Sequence, residues 1–412
     1  MSLPSNFHNY DPSKHKEAIH RLYKEVGWLA EGEEKATDIF LSAGRGWVSE
    51  VDDQAEAIAH TTPGTLRYLE TDLQASCVTS VATSRIARKQ RLATHLTAHT
   101  VSQDAIDGAL VSLLGFFEQG FYDQLGFGTG GYEHFVAFDP AKLLVDSPAR
   151  TPKRLEKADG EKIHQCRLNR LRGHGSLSIL PKEFTLSMLE EKKGFGLGFF
   201  DGPDNSLSHH IWFWTKNVER GPYSVWWTAY QTYDQFMELL SVLKSFEEQV
   251  FLIRMDEPQG IQLQDLLKQP LKERHVSLKS NFESGIRSVA YWQIRICDLE
   301  GCLKRTHLDD MDVDFNLVLK DPIDKYLKEE NKWQGLSGNY RIHLGPKSFA
   351  NVGQDSSLPT LHASIGAFSQ MWLGVRPASG LAFTDELSGP SELLYKLDRA
   401  FRLPDPKPDW DF

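Results

Sequence analysis

The sequence predicts an α/β (α+β) fold built from successive mixed-sheet modules, and three observations predict it. Residues 78–93 open with small and β-branched side chains, pass through a basic turn and continue at helical spacing. Short strand-like runs separated by turn residues lead up to that stretch. Strand and helix signals then resume after a charged, proline-bearing segment at 147–162, which reads as a linker. At 412 residues the chain is long for one core and suits two or three modules.

The first element is an amphipathic helix over 14–29, capped by Ser13, with Ile19, Leu22, Tyr23 and Val26 inward. Meander strands follow at 46–51, 55–60 and 66–71, with Asp52-Asp53 and Pro63-Gly64 as turns. The strand beginning at Val78 runs into Arg88-Lys89-Gln90-Arg91 and then a helix carrying Leu92, Leu96 and Val101. A strand that feeds a helix N-terminus leaves backbone N–H groups unpaired, and with the helix dipole they suit a pyrophosphate. Residues 110–114 read as a buried strand, 116–125 as a short helix and 132–138 as an aromatic strand after the turn Gly126-Phe127-Gly128. A second module shows strands at 194–200, 210–214, 223–230 and 249–255, a helix at 233–246 and a short helix at 263–267. A third shows strands at 289–297, 313–319 and 340–344, helices at 362–375 and 391–401, and a helical turn at 381–387. The expected boundaries are 1–150, 151–287 and 288–412.

Bulk properties narrow the function. The formal net charge of -10 argues against a nucleic-acid partner and favours a cationic substrate such as an amine. No stretch is long and apolar enough to span a bilayer, and the N-terminus lacks a secretory pattern. Cys77, Cys166, Cys297 and Cys302 are widely spread with no CxxC pair, as in reduced cores of a cytoplasmic protein, so no metal site is expected.

Other patterns have plainer readings. Gly194-x-Gly196-x-Gly198 sits inside an aromatic strand, which favours close packing over phosphate binding. Asp310, Asp312 and Asp314 have calcium-like spacing, but Phe315 stands where an EF-hand needs glycine, so an acidic strand face is the better account. His95 and His99 lack the glutamate of a zincin and read as surface or structural. The tail Arg402-Leu403-Pro404-Asp405-Pro406-Lys407-Pro408-Asp409-Trp410-Asp411-Phe412 is an extended arm. Disordered tails seldom end in Trp-x-Phe, so the arm is either a packing peg or a docked end that brings the Phe412 carboxylate into a cavity.

Arg88-x-x-x-x-Ala93 resembles the acetyl-CoA loop of the GNAT (general N-acetyltransferase) superfamily, with Arg91 where that superfamily usually has glycine. The run Phe121-Tyr122-Asp123-Gln124-Leu125-Gly126-Phe127 resembles its FYxxxGF signature. The whole chain resembles the enhanced-intracellular-survival (Eis) family: a GNAT module, a degenerate GNAT-like module and a sterol-carrier-protein-like module. Tyr291-Trp292-Gln293-Ile294-Arg295, residues 365–374 and the terminal Phe412 add to that likeness. The resemblance implies acetyl-CoA as co-substrate, Tyr122 as general acid and the carboxylate of Phe412 as general base. It also implies acetyl-CoA contacts at Ser80, Val81, Ala82, Arg88, Lys89, Gln90, Arg91, Leu92, Ala93, Phe117 and Glu118, and a homohexamer.

Acetyl transfer needs a neutral amine, a stabilised oxyanion and a protonated leaving thiolate. An ordinary α-carboxyl titrates at roughly 3.3–3.7 and an alkylammonium at about 10.4, so direct transfer is uphill unless the carboxylate is desolvated or acts through water. Asp409 and Asp411 are candidates for holding a cationic substrate. A lipid- or hydrophobe-binding protein with a decayed loop, marked by Arg91, is the alternative. The acceptor amine is not legible: aminoglycoside, polyamine, lysine side chain and small metabolite all fit.

Overall fold

The computed structural model describes residues 7–115, 119–145, 150–190, 194–270 and 277–412. By compactness the chain divides into two units. One comprises Met1–Gly131, Gly173–Pro181 and Ala290–Phe412, and the other Tyr132–Arg172 and Lys182–Val289. Compactness therefore groups the start of the chain with its end, whereas the sequence reading drew boundaries near residues 150 and 287.

The first unit holds an eight-stranded sheet. Its order is Phe7–Asn9, Arg45–Val51, Gln54–Tyr68, Thr71–Thr83, Val111–Gly115, Trp292–Ile296 and Gly128–Thr129, with Leu177–Ile179 paired to Gln54–Tyr68. Alternation along Gln54–Tyr68 separates the two faces. Ile58 packs with Ile19, Leu22 and Tyr23 of the helix Pro12–Val26, while Ala57 and Ala59 pack with Leu92 and Leu96 of the helix Leu92–Ile106. Small side chains at 57 and 59 let the second helix approach the sheet. The first helix is capped by Asp11, not Ser13: the Asp11 carboxylate accepts the Ser13 N–H, and Pro12 occupies the first turn.

Three expectations change here. Pro63 and Gly64 lie inside one long strand, opposite Ser76 and Ala75. The neighbour Arg45–Val51 stops at Thr61 and Leu177–Ile179 begins at Gly64, so Pro63 falls in the gap, where a missing N–H breaks no ladder bond. The strand Glu133–Phe138 joins the second unit's sheet, and Trp292–Ile296 takes the place beside Val111–Gly115. Within the expected helix at 116–125, residues 116–118 lie outside the described residues, and only Asp123–Leu125 forms a 3-10 turn.

The same unit carries a five-stranded sheet, ordered Phe349–Val352, Gly338–Leu344, Val313–Lys320, Thr360–Ser364 and Leu387–Ser388. Residues 362–364 are strand, and the helix after them is Ile365–Trp372, capped by Ser364. A buried ion pair, Arg295–Asp321 at 2.6 Å, is shielded from water on both sides. Asp321 also accepts the N–H groups of Ile323 and Leu336, so its charge is compensated by more than one donor.

The second unit is a seven-stranded sheet covered by the helix Tyr233–Lys244, whose Phe236, Leu239, Leu240 and Leu243 fill the core. The glycine triplet has the packing role expected. A Cβ at Gly196 would lie 2.3 Å from the Trp212 ring, so the ring needs bare backbone beneath it. The helices Gly160–Leu168 and Lys182–Leu189 were not expected from sequence. No helix among the described residues is long and apolar enough to cross a membrane, and all four cysteines are buried and unpaired.

Candidate active site

The strand Thr71–Thr83 is irregular towards its end. Among the described residues its parallel ladder with Val111–Gly115 runs from Ala75 opposite Val111 to Val78 opposite Leu114, while the strand itself continues to Thr83. On its other edge the antiparallel register slips at the same point. His60 faces Ser80 and Thr61 faces Val78, which leaves Thr79 as the extra residue of a β-bulge. The bulge thus falls next to the last described pair of the two strands, where the backbone is bent. Ser80 and Ala82 are buried and Val81 is half-buried after it.

The strand leads into a 3-10 turn, Arg85–Ala87, and then into the helix Leu92–Ile106. That helix starts with no side-chain cap, so its first-turn N–H groups lack intrahelical acceptors and face outward. Arg88, Lys89, Gln90 and Arg91 are exposed, Leu92 is buried and Ala93 half-buried. Lys89 and Arg91 adopt left-handed backbone, with φ of 62° and 60°. The chain therefore takes at Arg91 the conformation for which glycine is usual, and bears its cost.

Arg91→Gly is expected to remove ~1–2 kcal/mol of left-handed strain, offset by the ~0.5–1 kcal/mol that glycine's freedom costs on folding. Stability should then stay within about 1 kcal/mol of the parent in chemical denaturation. If the loop holds acetyl-CoA, as the sequence resemblance implies, affinity should fall, since the exposed guanidinium is lost. A rise in calorimetry would instead mark Arg91 as a steric compromise.

Tyr122 stands beside the bulged end of the strand Thr71–Thr83. Its ring is edge-on to Phe121 at 4.8 Å and to Phe127 at 6.1 Å, in a cluster with Val78, Val81, Leu114 and Ala98. The Tyr122 carbonyl accepts the N–H groups of Leu125 at 2.9 Å and Phe127 at 3.3 Å, closing the turn. Arg295 donates to the Leu125 carbonyl, and the Tyr326 hydroxyl donates to Gln124 at 2.9 Å, so two distant segments hold that turn. The Tyr122 hydroxyl makes no hydrogen bond among the described residues. Burial pushes its phenol up to about 12. Phe117 and Glu118 lie outside the described residues.

The tail is docked. Pro406, Pro408 and Trp410 are buried in alternation, as an extended arm with one inward face requires. The Lys407 N–H donates to the His174 carbonyl at 3.2 Å. Gly175, with φ of 79°, admits the arm: a Cβ there would lie 2.5 Å from the Lys407 nitrogen. At the end of the arm, a Cβ on Gly115 would lie 2.9 Å from the main-chain oxygen of Phe412. The chain end therefore abuts the tip of the strand whose Leu114 packs with Tyr122.

Sequence reasoning placed Tyr23, His60 and Thr79 in regular elements but gave them no part in the site, although their hydroxyls and imidazole meet at the bulge; the run of polar residues His60-Thr61-Thr62 inside a strand was the available signal. His95 and His99 are structural: His95 bonds the Tyr326 carbonyl at 3.1 Å, and His99 packs edge-on to Trp47 at 4.3 Å. Two groups of described side chains bring three possible metal ligands together, Asp201–His209–Glu238 and Asp312–Asp314–His343. In the first, Arg150 already pairs with both carboxylates, at 2.6 Å each. A polar cavity of about 740 Å³ borders the Tyr122 turn through Asp123, Gln124 and Thr129, but neither Tyr122, residues 88–93 nor Phe412 lines it.

No protein-family model and no curated protein matches the chain. Solved structures do. A GCN5-related N-acetyltransferase from Anabaena variabilis superposes with a TM-score of 0.76 at 14% identity, over 97% of this chain and 98% of that one. One from Kribbella flavida gives 0.73 at 15%, over 99% and 98%. Eis1 from Mycobacterium abscessus gives 0.75 at 16%, over 99% and 100%. At these identities the likeness is one of fold: the chain has the fold of the GCN5-related N-acetyltransferases.

Proposed function

We propose that this protein is an acetyl-CoA-dependent N-acetyltransferase acting on a primary amine by direct attack. The observation that carries the reading is the bulge at Thr79 and the docked chain terminus at Gly115, both beside residues that pack with Tyr122. The uncapped N-terminus of Leu92–Ile106, with Arg88 and Arg91 exposed before it, suits a pyrophosphate. Residues 80–82 supply the backbone edge along which a pantetheine chain hydrogen-bonds, and a main-chain N–H there serves the thioester carbonyl.

In this scheme the amine nitrogen attacks the carbonyl carbon, the C–N bond forms and the C–S bond breaks. The Tyr122 hydroxyl gives its proton to the departing thiolate. The carboxylate of Phe412 takes the surplus proton from nitrogen, directly or through a water. Docking supports this role because Trp410, two residues earlier, is only 3% exposed and fixes where the arm ends.

The Eis-like reading extends to the rest of the chain. The five-stranded sheet with its packed helices is assigned as the sterol-carrier-like module, and segment 151–287 as a GNAT-like module without an active site of its own. The unpaired buried cysteines support a reducing, cytoplasmic setting. A homohexamer is expected, and light scattering at micromolar concentration checks it: a monomer mass contradicts that part. For the activity itself, free thiol released from acetyl-CoA is measured across aminoglycosides, polyamines, lysine peptides and small amines. Release with at least one class is expected; release with none counts against the reading.

A further inference from the structure

We infer that His60 is a positioning residue for acetyl transfer, acting through Thr79 to hold the bulge that aims the strand backbone at the reacting carbonyl. The inference rests on the acetyltransferase reading above.

Thr79 is the residue the register skips in the ladder with Gln54–Tyr68, so that ladder does not fix its backbone and another contact helps to set it. Its hydroxyl is gripped instead. Oγ1 lies 2.8 Å from Nδ1 of His60 and 3.3 Å from Oγ1 of Thr62. The other ring nitrogen, Nε2, lies 3.1 Å from the Leu41 carbonyl. A carbonyl only accepts, so Nε2 carries the proton, and Nδ1 is left to accept the Thr79 hydroxyl proton. The imidazole thus makes two hydrogen bonds of fixed sense, tying the bulge to the helix Glu34–Ser42.

His60 is fully buried, and burial lowers its pKa to about 4, so the ring is neutral at working pH and the sense of both bonds is kept. The next residue is held as well: the Ser80 hydroxyl lies 2.6 Å from that of Tyr23 in the helix Pro12–Val26. Two buried side chains from different elements therefore hold consecutive residues at the bulge. A simple packing role would not need a threonine hydroxyl or a single histidine tautomer.

The test is a double-mutant cycle with Thr79→Val, Thr79→Ser, His60→Leu and the Thr79→Val/His60→Leu pair. Since a ~1 Å misplacement can cost about a hundredfold, Thr79→Val and His60→Leu are each expected to lower kcat by about tenfold or more, with acetyl-CoA KM little changed. Thr79→Ser should restore most of the rate. The double variant should be no worse than the poorer single one. Additive losses, or equal losses in Thr79→Ser and Thr79→Val, would overturn the inference. Amide hydrogen exchange across residues 78–82 reads the clamp without turnover, and so separates its failure from that of the proposed activity. Faster exchange in Thr79→Val and His60→Leu, but not in Thr79→Ser, supports the clamp; unchanged exchange in all three overturns it.

Discussion

Appending a short peptide after Phe412 is expected to abolish acetyl transfer while leaving the fold intact. The arm is anchored by Pro406, Pro408 and Trp410, all upstream of the change, so its docking energy is retained. What is lost is the carboxylate, replaced by a neutral amide that accepts no proton from the ammonium. The added residues would also crowd the tip at Gly115, where the Phe412 oxygen already lies within 2.9 Å of a Cβ position. Deleting Phe412 is the complementary change. It leaves a terminal carboxylate on Asp411, about 3.3–3.6 Å back along an extended arm. A ~1 Å error can already cost about a hundredfold, so both forms should lose at least that in kcat. The unfolding midpoint should stay close to the parent's. Wild-type turnover in the extended form, with a good amine, would reduce the tail to a packing peg.

Tyr122→Phe should lower kcat and kcat/KM together by about 10²–10⁴-fold, the range for a positioned general acid, with KM barely moved. The ring keeps its contacts with Phe121 and Phe127, so the turn should survive. The pH dependence follows from burial. The phenol is raised from its ordinary 10.0 to about 12, so it stays protonated, and able to donate, across the neutral and mildly alkaline range. No alkaline fall in rate from this group is expected below about pH 11. The same shift bears on stability. The folded state holds this proton more tightly than the unfolded chain, so the contribution is complete below pH 10 and is lost as pH rises toward 12. A steep loss of rate near pH 10 that disappears in Tyr122→Phe would show a phenol of ordinary acidity.

Local pattern made some of this legible and topology hid the rest. The strand, turn and helix at 78–93 were readable because β-branched residues give way abruptly to basic ones and then to helical spacing. The docking of the tail was readable because exposed aromatics at a chain end gain nothing in water. Pro63-Gly64 misled because the pair signals a turn wherever its neighbours are unknown, and only the sheet shows that Pro63 sits in a gap. That Trp292–Ile296 would pair with Val111–Gly115 could not be read, since period-2 alternation says nothing about partner identity. The bulge left a signal only in the facing strand, in the polar run His60-Thr61-Thr62, because every residue from Ser76 to Ser80 is a good strand former or small. The helix Gly160–Leu168, whose first turn falls in the segment read as linker, left no clear pattern because its polar face dominates: Ile163 and Cys166 are its buried apolar side chains.

The central claim is that acetyl-CoA binds with its pyrophosphate at the loop before Leu92–Ile106. Calorimetric titration of acetyl-CoA into the parent protein and Arg88→Glu tests it most directly. Arg88 is exposed, so the substitution leaves the core untouched. It sets a carboxylate against the pyrophosphate in place of a charged hydrogen-bond donor worth ~1.5–3 kcal/mol. The account predicts saturable binding to the parent and a loss of at least about tenfold in Arg88→Glu. Equal affinity in the two proteins, or no binding to the parent, would contradict it.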